Sequence, residues 1–134
     1  MARIDWLVGC DMAFFDRQDR LCVVGMITHL PVPRLPLAIH QLTLVGKLAD
    51  VQMEEEFDVR VEVVLPSGLF SCPRDPRCIN IELAGQYVLV TLRDVPLTEE
   101  GAYRFEVTLG EQPPASVEIP VLSVRSVQRM ADVH

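Results

Sequence analysis

The sequence contains a single lysine, Lys47, and its arginines are scattered, so no basic cluster exists. With 12 Lys+Arg against 19 Asp+Glu, the formal net charge is −7. An acidic chain repels phosphate backbones and anionic lipid head groups, which argues against nucleic acid and membrane surfaces as partners. Long apolar runs are missing as well. None approaches the roughly 18–20 residues that a membrane-crossing helix needs. Leu7-Val8-Gly9-Cys10 spells a lipoprotein-type cleavage box, but only Met1 to Trp6 precede it, with Asp5 among them. The apolar segment of roughly 7–15 residues that such a leader requires is not there. A cytoplasmic location is the resulting expectation. In that compartment the four cysteines, Cys10, Cys22, Cys72 and Cys78, read as reduced thiols. Also missing are a capped stretch of helical period, an internal repeat, a phosphate loop, a dinucleotide fingerprint, a zincin motif and a nucleophile elbow.

What is present is strand periodicity. At 134 residues, 49% of them hydrophobic and rich in Val and Leu, the chain suits one all-β domain with a self-sufficient core. Trp6, Val8, Cys10, Met12 and Phe14 alternate, which predicts a strand with these five on one face. A polar turn, Asp16 to Asp19, then leads into Leu21 to Leu30. Both faces of that run are apolar, which predicts a central strand covered on two sides. Pro31, Pro33 and Pro36 predict a loop crossing between sheets, because proline cannot donate to a ladder. Leu37 to Leu48 returns to strand character, with Gly46 a candidate bulge. The cleanest alternation places Phe57, Val59, Val61, Val63 and Leu65 inward, with Asp58, Arg60 and Glu62 outward. Shorter runs at Ile79–Leu83, Gln86–Arg93, Tyr103–Leu109 and Val117–Val121 complete the set.

The expected fold is a two-sheet antiparallel sandwich of about seven to nine strands, an immunoglobulin-like or C2-like Greek key. The domain is expected to span residues 1–122, with a tail over 123–134 that is flexible or a short helix. Gly101 and Tyr103 point to the immunoglobulin-like choice. They fit a tyrosine corner, in which a Tyr near the start of the penultimate strand returns its hydroxyl to the backbone just upstream. The glycine would permit the turn's positive φ.

Several segments together resemble a bacterial family of small sandwich proteins classed only as a domain of unknown function. They are Cys10-Asp11, Leu21-Cys22-Val23-Val24-Gly25-Met26, the proline-rich crossing, and the closing pattern of Pro96, Leu97, Gly101, Tyr103, Phe105 and Val107. The resemblance covers roughly residues 4–122. It implies a fold and no activity.

Sites for chemistry are few. Cys72-Pro73-Arg74-Asp75-Pro76-Arg77-Cys78 places two thiols in one loop, compatible with free thiols, a disulfide, a reactive cysteine beside arginines, or part of a metal clip. The interval between the cysteines exceeds the usual spacing inside a zinc pair, and no second local pair exists. Cys22 with His29 or His40 lacks a third orienting group. Asp11, Asp16 and Asp19, and the run Glu54-Glu55-Glu56, lack the alternating spacing of a calcium loop. No catalytic, cofactor or metal residues are therefore assigned. The expected function is a non-enzymatic interaction or assembly module with an unknown protein partner, or with a second copy as a homodimer. Its candidate contact loops contain Pro31, Pro33, Arg34 and Pro36, and Arg74, Asp75 and Arg77. The alternative is a ligand- or metal-sensing domain using the cysteine or acidic loops.

Overall fold

A computed structural model describes residues 2–52, 56, 58–71 and 75–124. Ten strands are formed: β1 (Arg3–Phe15), β2 (Leu21–Ile27), β3 (Leu30–Val32), β4 (Leu37–Ala49), β5 (Val59–Val64), β6 (Phe70–Ser71), β7 (Ile79–Ala84), β8 (Tyr87–Leu97), β9 (Gly101–Leu109) and β10 (Ala115–Ser123). They make two five-stranded sheets, ordered β2-β1-β4-β8-β7 and β3-β10-β9-β5-β6. The extra strands relative to the sequence expectation include β3 and β6, short pieces inside segments that read as loops. Phe57 and residues 125–134, with the expected tail helix, lie outside the described residues.

Alternation explains the core. On β9, Tyr103, Phe105, Val107 and Leu109 are buried while Arg104, Glu106 and Thr108 between them are not. On β8, Val88, Val90 and Leu92 face the same interior, and β4 adds Leu42, Leu44 and Leu48. Each strand turns its apolar residues toward the facing sheet, as two packed sheets require.

The strand order decides between the two Greek keys. The run β1-β4-β8-β7 reproduces the A-B-E-D sheet of immunoglobulin domains, and β10-β9-β5 reproduces G-F-C. The fold is therefore immunoglobulin-like, enlarged at three edges. β6 extends the second sheet beyond β5, β3 pairs in parallel with β10, and β2 adds a strand outside β1. The proline-rich segment does cross between sheets, but it first lays β3 along β10. An edge strand tolerates Pro31, whose missing N–H can face away from the ladder.

The tyrosine corner is formed. The Tyr103 hydroxyl accepts from the Thr98 N–H at 3.0 Å and the Glu99 N–H at 3.2 Å, and donates to the Glu99 carbonyl at 3.1 Å. Its ring is fully buried. Removing the hydroxyl leaves three partly buried backbone groups short of a partner, at a cost of about 1–3 kcal/mol. Tyr103→Phe should therefore lower the urea midpoint with an unchanged slope. A midpoint equal to wild type would show that water replaces the hydroxyl at no cost.

Three local expectations are corrected. First, β2 is an edge strand rather than a central one, and all of its residues are half-buried or exposed. The strand apolar on both faces is β4, where the run from Leu42 to Gly46 is buried throughout. Second, Gly46 is paired regularly with Leu7 and Val88. The bulge lies opposite, between Ile4 and Trp6. Gly46 is instead a close-packing site, since a Cβ there would stand 3.0 Å from Val88 Cγ1 and 3.3 Å from Ile4 Cγ2. Third, the five alternating residues of β1 do not share one face, for the reason given next.

Candidate functional site

The β1–β2 hairpin folds back over the outside of its own sheet. Trp6 and Phe15 stand at opposite ends of β1, and a straight strand would hold them roughly 30 Å apart. Yet both rings lie against Tyr87, with centroids at 6.2 Å and 6.4 Å. The bend falls where Asp11 meets Gly25, which has φ +70. Before it, Val8 and Cys10 lie beside Val45 and Thr43 on the outer face of the sheet. Beyond it, Ala13, Phe15, Leu21 and Val23 pack on the same face. The phase of alternation changes at the bend. Cys10, Val45 and Leu89 are sealed into a second apolar layer, separate from the inter-sheet core.

This lid has two surfaces. Its solvent side carries Met12 directly opposite Val24 and Phe14 opposite Cys22, while Met26, paired with Cys10 on the other side of the bend, is exposed at the β2 edge. Met12, Phe14, Val24 and Met26 are exposed by 43–57%. Large apolar side chains exposed side by side on a free sheet edge are the usual mark of a contact surface. The lid's tip overhangs the β7–β8 turn and leaves an open cleft of about 570 Å³. Its lining includes Phe15 and Tyr87, and the acidic residues Asp19 and Glu82.

The opposite edge of the sandwich carries a second apolar group. Leu69 and Phe70 beside β5, and Ile81 and Leu83 on β7, are exposed. Asp75 lies in the connection between these strands. Its carboxylate caps a 3-10 turn by accepting from the Arg77 backbone N–H at 2.9 Å, and it holds the Arg77 guanidinium at 2.9 Å. The Arg77 side chain, then its N–H, keeps the Asp75 carboxyl below the usual carboxylate range. The two charges thus neutralise each other. Arg74, Cys72 and Pro73 of the same loop lie outside the described residues. In the proline segment Pro31, Pro33, Arg34 and Pro36 are all exposed, and the Leu35–Pro36 peptide is cis.

The remaining sequence candidates do not converge. Cys22 sits near one end of β2 and His29 beyond the other, while His40 lies on β4. Asp16 spends its carboxylate closing the hairpin tip, accepting from the N–H groups of Gln18 and Arg20 and from Arg20 Nε. The Arg20 backbone N–H is the main reason its carboxyl titrates low. Asp11 lies against Gly25. Among the described residues, no three His, Cys, Asp or Glu side chains form a group able to hold a metal ion. Glu54 and Glu55 are outside those residues. Among the described residues, no helix is long and apolar enough to cross a membrane.

Cys10, Cys22 and Cys78 are free thiols. Cys10 is sealed beneath the lid and directs its thiol at the Thr43 carbonyl, 3.5 Å away. Burial first, then the charge of Asp11, pushes this thiol up to about 11. Native protein at pH 8 should therefore alkylate at Cys22 and Cys78 well before Cys10. The sign of the pH effect follows from the same shift. An unfolded cysteine releases its proton near pH 9, whereas folded Cys10 keeps it to about 11. Stability present below pH 9 is then lost as pH rises toward 11, by up to about 2–3 kcal/mol. Cys10→Ala should remove this part of the alkaline sensitivity. Equal labelling of all three thiols would contradict the sealed layer.

A family model matches residues 5–122, from within β1 almost to the end of β10. The chain belongs to DUF6941, a family of unknown function. No curated protein matches this DUF6941 chain in sequence. Among solved structures it is similar to the M1 domain from titin, at 11% identity over 73% of this chain and 89% of that one, with a TM-score of 0.37. It is also similar to the Ig1 domain of mouse SynCAM 2, at 14% identity over 71% and 89% with a TM-score of 0.32. A third is the structure of Dpr1 IG1 bound to DIP-eta IG1, at 13% identity over 73% and 88% with a TM-score of 0.35. These are likenesses of fold only.

Proposed function

We propose that this chain is a non-enzymatic protein-interaction module whose main contact surface is the solvent side of the β1–β2 lid. The observation that carries the reading is the stripe of Met12, Phe14 and Val24, with the exposed Met26 beyond the bend, at the free edge of a five-stranded sheet. A stripe of this kind offers apolar contact, and β2 beside it offers unpaired backbone groups, the two elements of strand addition by an extended segment or by a second copy. β3, the corresponding edge of the other sheet, is blunted by Pro31. The exposed proline segment and the Asp75–Arg77 turn are secondary candidates in the same reading. The first carries none of the large exposed apolar side chains of the lid, and the second has its charges already paired.

The test is site-specific photo-crosslinking in the native host. A photoreactive residue is placed at Val24, at Arg34, at Arg77 and, as a control, at the exposed Glu118 of β10. Saturable adducts at Val24 that disappear with Met12→Ser support the lid. Adducts confined to Arg34 or Arg77 would move the surface to the loops. Adducts no more frequent at these three positions than at Glu118 would end the interaction reading. Sedimentation over a wide concentration range tests the second copy directly, since a self-pairing edge gives a mass that rises with concentration.

A further inference from the structure

We propose that the cleft beneath the lid tip binds an organic cation, an alkylammonium or guanidinium head group. This inference is independent of the interaction reading, because the cleft lies beneath the lid and the apolar stripe lies on its other side.

The cleft, about 570 Å³, opens between the hairpin tip and the β7–β8 turn. Phe15 and Tyr87 both line it, with ring centroids 6.4 Å apart and planes inclined by 50°. The two rings touch, and a cation set in the cleft beside the pair can lie within the roughly 6 Å of each ring over which the quadrupole attracts positive charge. Trp6 packs on Tyr87 and supports its ring. Asp19 and Glu82, two acidic residues, line the same cleft. Among the described residues neither carboxylate has a basic partner. Asp16, which opens the same turn, is already paired with Arg20. The lining contains no basic side chain, so an anion would meet only repulsion. A plain hydrocarbon would leave two carboxylates without compensation at its edge.

The hairpin geometry also presets the site. Asp19 has φ 57, the left-handed conformation that Asp and Asn tolerate, and Asp16 locks the tip that carries it. At the other wall, Gly85 has φ 59 and open space around it, so the β7–β8 turn is tight and does not intrude on the cleft.

The experiment titrates the purified full chain at low ionic strength with choline, with methylguanidinium and with 3,3-dimethylbutan-1-ol, the neutral isostere of choline, and follows amide shifts by NMR. Saturable millimolar binding of a cation, with the isostere at least about tenfold weaker, is the expected result. Shifts should centre on Phe15, Glu82 and Tyr87. Asp19→Asn, which keeps the backbone conformation, and Glu82→Gln should each weaken the cation several-fold and leave the isostere unchanged. Tyr87→Leu should abolish binding, and the two carboxylate variants keep the test decisive if that variant unfolds. Short peptides with a central Lys or Arg identify the source. Tighter binding than the free head group indicates a partner's side chain, and equal binding indicates a free small molecule. No saturation by either cation, equal binding of the isostere, or indifference to both carboxylate variants would overturn the proposal.

Discussion

Gly101→Ala should lower stability by roughly 2–4 kcal/mol, one of the two largest single-residue effects anticipated in this protein. Gly101 opens β9 with φ +128, a conformation that L side chains rarely adopt and that costs about 1–3 kcal/mol for any other residue. The added Cβ would also stand 2.8 Å and 2.9 Å from Cβ and Cγ of Pro66. A proline ring is stiff, so the turn after β5 must shift to make room, and overpacking of this kind adds about 1–3 kcal/mol. The two costs are separable. Gly68 has φ +91 with nothing within 4 Å of the position its Cβ would take, so Gly68→Ala carries the backbone cost alone. Thermal unfolding followed by circular dichroism should rank the variants wild type, then Gly68→Ala, then Gly101→Ala, the last melting roughly 5–15 °C below wild type. Equal melting of the two variants would show that the Pro66 contact carries no energy.

The second large effect is expected at the bend of the lid. Gly25→Val puts a β-branched residue at φ +70, and its Cβ would lie 2.4 Å from Asp11 Oδ2. The carboxylate can swing aside, so the backbone conformation carries most of the cost, about 1–2 kcal/mol or more for a β-branched residue. The consequence is localised. Straightening the hairpin uncovers Cys10, Val45 and Leu89 while the inter-sheet core stays intact. Burying each aliphatic side chain of that layer contributes about 1.5–3 kcal/mol, which sets the scale for holding the lid down. Two readouts therefore distinguish lid release from global unfolding. Alkylation of Cys10 should accelerate by more than tenfold, and amide exchange should rise on β1 and β2 but not on β9. Unchanged labelling of Cys10 would mean that the bend does not depend on glycine.

The corner shows how far local signals reach. Gly101 and Tyr103 lie two residues apart, and the hydroxyl bonds groups only four and five residues upstream. Short-range geometry of this sort is legible because both partners sit in one stretch of chain. The same holds for the alternation of β9 and β10. The candidate site was not legible in that way. Phe15 and Tyr87 carry no signal that they meet, nor do Asp19 and Glu82. A glycine inside the strand run, Gly25, is the sequence-level clue to a bend, and its positive φ opposite Asp11 is seen only in the structure.

The misassigned strand makes the same point. An apolar run on both faces reads as a central strand because burial on two sides is the common reason for it. Here β2 covers Val45 and Leu89 with one set of apolar residues and leaves another exposed. The loops containing Pro31–Pro36 and Arg74–Arg77 drew attention as interaction surfaces because they are chemically unusual in sequence. The lid stripe did not, since Met12, Phe14, Val24 and Met26 look like core until the layer they face is known.

By itself, then, the sequence determined the all-β class, the sandwich and the tyrosine corner, because period-two burial and a glycine-permitted turn are properties of neighbouring residues. Only the tertiary structure decided the strand order, the added edges, the folded-back lid and the cleft beneath it. Each of these depends on which distant faces cover one another, and the free energy of that choice is spread over contacts that no single segment contains.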